Sequence, residues 1–238
     1  MNILVTGASR GIGAAAFALL KSTGHQVVGH STRGSDELIA ADLADPDAPR
    51  VLWNAALDRL GGRIDVLVNN AGIYEAVADD ATDADWQASW ARTLTINLQA
   101  PADLSRLAIG HFREAGAKGT KGGRIVNVAS RAAYRGDSPQ HWHYAASKSA
   151  LIGMTKTIAR GYAAEQILAF AVCPGFTVSE MTEEYMKGRG GAQVIAEIPL
   201  GRVASTDEVA EAIRWLAIDA PAAATGTVID VNGASYVR

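Results

Sequence analysis

Short apolar runs alternate along the chain with amphipathic stretches of helical period. Strands are predicted over residues 2–6, 24–31, 37–42, 64–69, 124–130, 167–172 and 227–231. Helices are predicted over residues 14–22, 50–60, 84 to about 114, 144–162 and 207–217. Strands that are apolar on both faces are typical of a parallel sheet with helices on each side. The alternation therefore predicts an α/β fold, a doubly wound parallel sheet of the Rossmann type, in a single domain over residues 1–238.

Three places depart from a regular alternation. Only a few residues separate the second predicted strand from the third, so the crossover helix between them is predicted to be truncated. Asn97 lies in the middle of the long predicted helix, where a buried asparagine should have a partner or hold a water. Residues 176–198 have no strong period. We predict that 176–200 form a mobile lid with a short helix.

The composition is that of an ordinary globular protein, with 48% hydrophobic and 20% charged residues. A net charge of −3 argues against a general nucleic-acid surface. The apolar runs fall far short of the ~18 residues that span a bilayer, and residues 2–7 are predicted to be a strand entering a turn rather than a signal segment. The single cysteine, Cys173, cannot form an internal disulfide and is expected to be buried. We expect a cytoplasmic protein that binds neither nucleic acid nor membrane.

A glycine motif lies between the first predicted strand and the first predicted helix. Glycines let the backbone turn tightly and approach a pyrophosphate, whose charge is met by free N–H groups at the helix N-terminus. A plain helix-entry loop is the alternative, but the order strand, glycines, helix favours a dinucleotide site. The candidate cofactor residues here are Gly7, Ser9, Arg10, Gly11, Ile12 and Gly13.

The end of the second predicted strand bears on the type of dinucleotide. An acidic residue at this place would hold a ribose 2′-hydroxyl, whereas arginine accommodates a 2′-phosphate. The sequence here is Ser31-Thr32-Arg33, and no carboxylate follows until Asp36. Together with Arg10, this favours NADP, with NAD as the alternative.

Other strand ends supply further candidates, because the carboxyl edge of an open parallel sheet is where ligands bind. Asp42 and Leu43 end the third strand, where an adenine could lie. The fourth strand closes with Asn69, Asn70, Ala71 and Gly72, whose small or amide side chains suit close backbone approach to a ligand. Ser130 ends the fifth strand, and Pro174 and Gly175 follow the sixth.

Tyr144 and Lys148 are the candidate chemical pair. Residues four apart lie on one face of a helix, so a phenol and an ammonium would share one environment. A nearby cation favours the phenolate, and such a tyrosine could exchange a proton with an alcohol or carbonyl oxygen. The alternative is an ordinary surface pair, because the spacing alone is a loose pattern.

A metal site is not predicted. Asp79, Asp80, Asp83 and Asp85 precede a helix, where acidic residues cap and complement the dipole, and they lack the glycine and glutamate of a calcium loop. His141, Trp142 and His143 lack a third ligand at useful spacing and are predicted to line the approach to Tyr144.

In this order, the motifs resemble the short-chain dehydrogenase/reductase family over essentially the whole chain. The motifs are Thr6-Gly-x-x-x-Gly-x-Gly13, Asn69-Asn-Ala-Gly72, Asn97, Ser130, Tyr144-x-x-x-Lys148 and Pro174-Gly175. Residues 198–202 and 207–210 resemble the subgroup that contains 3-oxoacyl-carrier-protein reductases and many secondary-alcohol dehydrogenases. The resemblance does not name the substrate.

The resemblance implies a role for each catalytic candidate. Tyr144 would exchange the proton, Ser130 would orient the reacting oxygen, and Lys148 would lower the pKa of the tyrosine and hold the nicotinamide ribose. Asn97 would fix a water that links Lys148 to solvent. Residues 176–200 would then be a substrate lid.

Three positions differ from the family pattern. Thr177 and Ser179 stand where an aliphatic residue and a threonine are frequent, and we expect their hydroxyls to contact the carboxamide and phosphates. Ala234 replaces a usual second glycine. Trp86, Trp90 and Ile96, with the helix over 150–158, carry more apolar surface than one sheet face covers, which together with the resemblance predicts a homotetramer.

We therefore expect an enzyme, an NADP(H)-dependent oxidoreductase that moves a hydride between nicotinamide and a small-molecule carbonyl or secondary alcohol. A 3-oxoacyl thioester is one candidate substrate. The alternatives are an NAD-dependent secondary-alcohol or sugar dehydrogenase, and a non-catalytic nucleotide sensor on the same fold. The enzyme is favoured because the chain has all four of Asn97, Ser130, Tyr144 and Lys148, whereas a sensor needs only the glycine loop.

Overall fold

The computed structural model of the chain describes residues 1–117, 119, 122–177 and 189–238. The strands in these residues are β1 Asn2–Val5, β2 Gln26–Ser31, β3 Leu38–Ala40, β4 Val66–Asn69, β5 Gly123–Val128, β6 Ile167–Pro174 and β7 Val228–Val231. The helices are α1 Gly11–Ser22, α2 Ala48–Arg59, α3 Asp83–Leu94, α4 Ala100–Ala117, α5 Ala132–Arg135, α6 Trp142–Tyr162, α7 Arg189–Ala196 and α8 Thr206–Arg214.

All seven strands form one parallel sheet in the order β3-β2-β1-β4-β5-β6-β7. The chain builds outward from β1 to β3 and then returns to place β4 on the other side of β1. The strand order reverses between β1 and β4, and such a switch point opens a crevice at the carboxyl ends of the strands. The predicted fold class, a single doubly wound α/β domain, is confirmed.

Successive strand residues point to opposite faces of the sheet, and each face has its own apolar core. Leu4, Leu67 and Ile125 face a core with α2, α4 and α6, in which Leu52 and Phe112 are fully or almost fully buried. The residues on either side of them in each strand face α1 and α8. Both sheet faces are therefore covered, which explains the unbroken apolar strands in the sequence.

The connection from β2 to β3 is as short as predicted, and it contains no helix. It folds back over the edge strand through Gly34, which has φ +69 and packs against Ala40. The hydroxyl of Ser31 accepts a hydrogen bond from the Gly34 N–H at 3.0 Å. This loop carries Thr32 and Arg33 at the carboxyl edge.

The long helix predicted over 84–114 is interrupted. Residues Thr95–Gln99 form a π turn between α3 and α4, in which the Ala100 N–H donates to the Thr95 carbonyl. Asn97 lies inside this turn and is fully buried. Single π turns in long helices are frequent at functional sites, and here the turn aims an asparagine at the loop after β4. A second π turn, Trp215–Asp219, continues α8.

Smaller differences from the predicted elements have local causes. The helix α5 was not predicted, because four residues are too few to show a period. The strand β6 extends through Pro174, which needs no N–H at the last position of a strand and whose carbonyl accepts from the Arg131 N–H at 2.9 Å. The short helix predicted in the lid corresponds to α7, and residues 178–188 of the lid lie outside the described part.

None of the helices in the described part combines the length and the apolar character needed to cross a membrane.

Candidate active site

The crevice between β1 and β4 is fixed by bonds between Thr6 and Asn70. The Thr6 hydroxyl accepts hydrogen bonds from the backbone N–H groups of Asn70 and Ala71, both at 3.0 Å. The Asn70 amide donates to the carbonyls of Thr6 at 2.9 Å and Gly7 at 3.1 Å. These bonds hold the glycine loop against the end of β4. Thr6 belongs to the motif, but the sequence did not assign it this role.

The glycine loop has the shape of an anion cradle. Gly7 and Gly11 have φ values of +67 and +57, which favour glycine, and a Cβ on Gly13 would overlap the Gly7 carbonyl. Among the described residues, no side chain caps α1 and its first turn has no acidic residue, so its N–H groups can meet a pyrophosphate. Ser9 and Arg10 are exposed beside it, and Ile12 packs on the core below. These residues fit a dinucleotide.

His30, which the sequence did not single out, supports the loop from β2. Its Nδ1 accepts from the Gly7 N–H at 3.2 Å, and its Nε2 donates to the Ala41 carbonyl at 2.9 Å. This pair of bonds requires the neutral ring. Burial lowers the pKa of His30, with smaller opposing effects from the Ala41 carbonyl and Asp42. A polar side chain two residues after the apolar pair Val27-Val28, on a strand that ends beside the glycine loop, was the available signal.

The end of β2 presents the residues predicted to choose the cofactor. Thr32, Arg33 and Arg10 are exposed. Ser31 is buried, and its hydroxyl accepts a hydrogen bond from the Gly34 N–H. Within the described residues, neither arginine forms an ion pair. Two unpaired guanidinium groups near this edge suit a phosphate.

The two residues predicted for the adenine side have different positions. Asp42 is exposed at the carboxyl edge, where its carboxylate accepts from the Ala44 N–H at 3.0 Å. The side chain of Leu43 is buried in the core with Leu52 and does not line the crevice. Its apolar character serves packing under α2, and only its backbone lies near the edge.

Ser130, Tyr144 and Lys148 come together at the carboxyl ends of β5 and β6. The Lys148 ammonium is buried and donates to the Val128 carbonyl at 2.9 Å, and it lies 5.7 Å from the centre of the Tyr144 ring. The Ser130 hydroxyl hydrogen-bonds the Tyr144 phenol. Ser130 also accepts from the Ala132 N–H at 3.1 Å, which orients its hydroxyl at the start of α5.

The pKa of Tyr144 departs from the expected direction. Burial raises it to about 12, and the hydrogen bond from Ser130 opposes this rise only in part. Burial also lowers the pKa of Lys148 to about 8. The lowering of the tyrosine pKa by Lys148 is thus not found in this structure, because the ammonium is desolvated and bonded to a carbonyl. At neutral pH Tyr144 is a neutral phenol, which can donate a proton.

Asn97 and Lys148 approach each other across Gly72. A Cβ on Gly72 would lie 3.2 Å from the Asn97 Oδ1 and 3.4 Å from the Lys148 Nζ. The Asn97 side chain accepts from the Ile73 N–H at 2.8 Å and donates to the Ile73 carbonyl at 3.0 Å and to Ser147 at 3.3 Å. Asn97 therefore has the partner that its burial required. Gly72 leaves the space in which both polar groups converge.

Asn69 has a different position from the predicted one. Its amide is buried behind the sheet, where it donates to the Asn127 Oδ1 at 2.9 Å and to Ser105 at 3.2 Å. Asn127 in turn donates to Thr155 at 2.8 Å. This buried network joins β4, β5 and α6 below the site. The Asn69 side chain does not face the crevice, so the predicted contact of Asn69 with the cofactor is left to its backbone.

The segment after β6 borders the crevice on the far side. A Cβ on Gly175 would press on Asn232, so the backbone passes close to the end of β7 there. The Thr177 hydroxyl donates to the Gly175 carbonyl at 3.2 Å. Ser179, also predicted to contact the cofactor, lies outside the described residues.

Of the three residues before Tyr144, His141 is linked to Tyr144 through the ring of Tyr74. His141 stacks on Tyr74 with ring centres 3.9 Å apart, and the Tyr74 ring meets Tyr144 edge-on at 4.8 Å. Trp142 and His143 instead face α3, where Trp142 meets Trp86 at 5.3 Å and His143 bonds Ser89 at 3.1 Å. The prediction that all three line the approach is therefore wrong for Trp142 and His143.

The structure has a groove for a dinucleotide and, beside it, a phenol that can give a proton to a reacting oxygen. These features define an oxidoreductase that uses a nicotinamide dinucleotide.

Comparison with known proteins gives the family. The sequence model of the family described as enoyl-(acyl carrier protein) reductase matches residues 7–234. A 3-oxoacyl-[acyl-carrier-protein] reductase of Synechocystis is 36% identical, over 97% of this chain and 94% of that protein. The 3-oxoacyl-[acyl-carrier-protein] reductase of Vibrio cholerae is 33% identical, over 98% and 96%. A Brucella melitensis 3-ketoacyl-(acyl-carrier-protein) reductase solved with NADH has a TM-score of 0.85 and 28% identity, over 99% and 98%.

The chain belongs to the short-chain dehydrogenase/reductase family, and it is an NAD(P)-dependent enzyme. The resemblance predicted from the motifs is confirmed.

Proposed function

We propose that the protein is an NADP(H)-dependent reductase of a small carbonyl compound, with Tyr144 as the proton donor. The observation that carries this proposal is the neutral Tyr144 phenol beside Ser130 at the carboxyl edge of the sheet. The reduced nicotinamide supplies the hydride when it is bound. Every other task falls to residues of this chain.

Each predicted residue keeps one task in this mechanism. Ser130 donates to the carbonyl oxygen of the substrate and orients it. Tyr144 passes its proton to the same oxygen as negative charge develops there, and Lys148, whose ammonium lies 5.7 Å from the centre of the Tyr144 ring, holds the nicotinamide ribose. Asn97 holds a water near Lys148, which the closeness of both side chains to Gly72 supports.

NADP is the preferred cofactor in this proposal. Arg33 and Arg10 are exposed near the end of β2, and within the described residues they have no ion-pair partner. The cofactor contacts run from Gly7 through Gly13 and on to Ala71, Gly72 and Thr177. NAD is the alternative, since the Brucella relative was solved with NADH.

A 3-oxoacyl thioester is the substrate that the two carrier-protein reductases among the relatives support. Residues 176–200 act as the substrate lid in this proposal. What supports this is that Phe176 lies over Arg131 and that Glu197 pairs with Arg135 at 3.2 Å, so both ends of the segment contact the region after Ser130.

A homotetramer and a cytoplasmic location complete the proposal. Trp142 is 53% exposed and packs edge-on against Trp86, so α3 and α6 share an aromatic face that a second copy could cover. The single cysteine, Cys173, is buried, and burial raises the pKa of its thiol to about 12, which suits a compartment without disulfides.

The test is a panel of ketones, 3-oxoacyl thioesters and secondary alcohols, assayed by nicotinamide absorbance with each cofactor. We expect reduction with NADPH, and at least ~100-fold less with the Tyr144→Phe variant, which lacks the donor. A protein that binds NADPH but reduces no member of the panel would be the nucleotide sensor.

A further inference from the structure

One charged side chain next to the catalytic serine has a guanidinium nitrogen without a hydrogen-bond partner among the described residues. Arg131 follows Ser130 directly, and its backbone N–H is held by the Pro174 carbonyl at 2.9 Å. The residue is only 8% exposed, yet its Nη1 makes no hydrogen bond to any described residue. Buried polar groups are almost always paired, so a buried guanidinium nitrogen without a partner requires an explanation.

The surroundings of Arg131 place it at the substrate end of the crevice. Its guanidinium carbon lies 5.2 Å from the centre of the Phe176 ring, at the start of the segment after β6. Tyr74 is close enough to act on its charge, and the Tyr74 ring also meets the Tyr144 ring at 4.8 Å. Arg131 and the proton donor Tyr144 thus share Tyr74 as a neighbour.

The other charged groups near Arg131 already have partners. Asp137 accepts from the Tyr74 hydroxyl at 3.0 Å and from the Ser138 N–H at 2.7 Å. Glu197 pairs with Arg135. Among the described residues, no carboxylate forms an ion pair with Arg131. Its charge is therefore available to a ligand.

We propose that Arg131 binds an anionic group of the substrate, so that this enzyme reduces a short oxo acid. This inference rests on the proposed carbonyl reductase activity, and it favours a free oxo acid over the 3-oxoacyl thioester named there. With the carbonyl oxygen between Ser130 and Tyr144, a carboxylate a few atoms away reaches the guanidinium. A phosphate group is also an anion with oxygen acceptors, so a phosphorylated carbonyl compound is the other candidate source of the anionic group. A long apolar acyl chain fits poorly, since it would leave the buried cation without a partner.

Matched substrates isolate the charge. Each oxo acid is compared with its own methyl ester, using 2-oxobutanoate, 3-oxobutanoate and levulinate, which vary the distance from carbonyl to carboxylate. The N-acetylcysteamine thioester of 3-oxobutanoate represents the acyl thioesters. Dihydroxyacetone phosphate and dihydroxyacetone form the phosphate pair. The wild type should prefer the anionic member of at least one pair.

The variant Arg131→Gln removes the charge and keeps most of the volume. It should lower the ratio of kcat/KM for acid over ester by about ten- to a hundredfold, the value of a charge-assisted hydrogen bond. Arg131→Lys keeps the positive charge but loses the paired N–H donors of the guanidinium, so it should lower this ratio less. The control Arg113→Gln removes an exposed cation of α4 that pairs with Glu165, and should leave the ratio within about threefold.

Calorimetric binding of the acids and esters to the NADP complex separates the two proposals. If no compound is reduced, the proposed function fails, and binding alone decides the role of Arg131. Weaker binding of the anion but not of its neutral partner in Arg131→Gln supports the site. An equal change for both partners, in turnover and in binding, would mean that Arg131 only packs against Phe176, and would overturn the inference.

Discussion

The hydroxyl of Thr6 accepts hydrogen bonds from the backbone of Asn70, and the Asn70 side chain returns a hydrogen bond to the Thr6 carbonyl. Thr6 follows β1 and Asn70 follows β4, so these bonds close the switch point of the sheet at its base. The glycine loop is thereby held in one position relative to the catalytic edge.

Thr6→Val should destabilise the protein by about 1–3 kcal/mol, since two part-buried N–H groups lose their acceptor while the shape is kept. Thr6→Ser, which retains the hydroxyl, should cost much less. Urea unfolding of the three proteins measures the difference. Equal stability of the valine and serine variants would show that the hydroxyl contributes nothing.

Tyr144→Phe should lower the rate of hydride transfer by ~10²–10⁴-fold, because the phenol is the positioned acid. The dissociation constant for NADP should change little, since the ring remains in place against Tyr74. Single-turnover absorbance and calorimetry measure the two quantities on the same sample. Retention of most of the rate would refute the assigned role.

Arg33→Ala should raise the dissociation constant for NADP by about ten- to a hundredfold, because a guanidinium–phosphate bond is lost. The dissociation constant for NAD should hardly change, as NAD has no 2′-phosphate. Arg59→Ala, at the far end of α2, is the control and should affect neither. The prediction fails if wild-type protein binds NAD more tightly, or if the Arg33 variant weakens both equally.

Stability should decrease as the pH falls below about 6.5, the ordinary pKa of histidine. Burial lowers the pKa of His30 in the folded state, so the unfolded chain binds a proton at a higher pH than the folded protein does. Acid therefore favours the unfolded state. Protonation would also place an N–H against the Gly7 N–H. The contribution of His30 to the free energy of unfolding is therefore complete above pH 6.5. It is lost as the pH falls towards the pKa that His30 has in the folded protein.

His30→Gln should flatten this pH dependence, and the control His25→Gln should change it less, because His25 is only half-buried whereas His30 is 2% exposed. Thermal melts between pH 5 and 8 compare the slopes. A slope that is the same in the His30 variant and the wild type would assign the effect elsewhere.

Ala234→Gly should stabilise the protein by about 1 kcal/mol, because Ala234 has φ +64, a conformation that costs an alanine energy and glycine little. The control is Ala212→Gly in α8, where the same substitution is made in a helix. It should destabilise the protein by about 0.5–1 kcal/mol. Melting of both variants tests the pair. A loss of stability for Ala234→Gly would mean that the alanine methyl group makes contacts worth more than the strain.

The sequence by itself determined the order of elements, the parallel doubly wound sheet and the set Asn97, Ser130, Tyr144 and Lys148. Apolar period and glycine spacing are local properties, and the strand ends must meet at one edge whatever the side chains between them do. For the same reason the family resemblance could be stated from motifs alone.

Only the tertiary structure decided which way side chains face and how strongly they are desolvated. Asn69 turned behind the sheet because Asn127, 58 positions later, offers its amide a partner there. Burial, which depends on contacts from the whole chain, raised the pKa of Tyr144 against the expected effect of Lys148. The same packing enclosed Arg131 and left its Nη1 without a hydrogen bond to any residue that the structure describes. Such effects arise between residues far apart in the chain, and no local pattern encodes them.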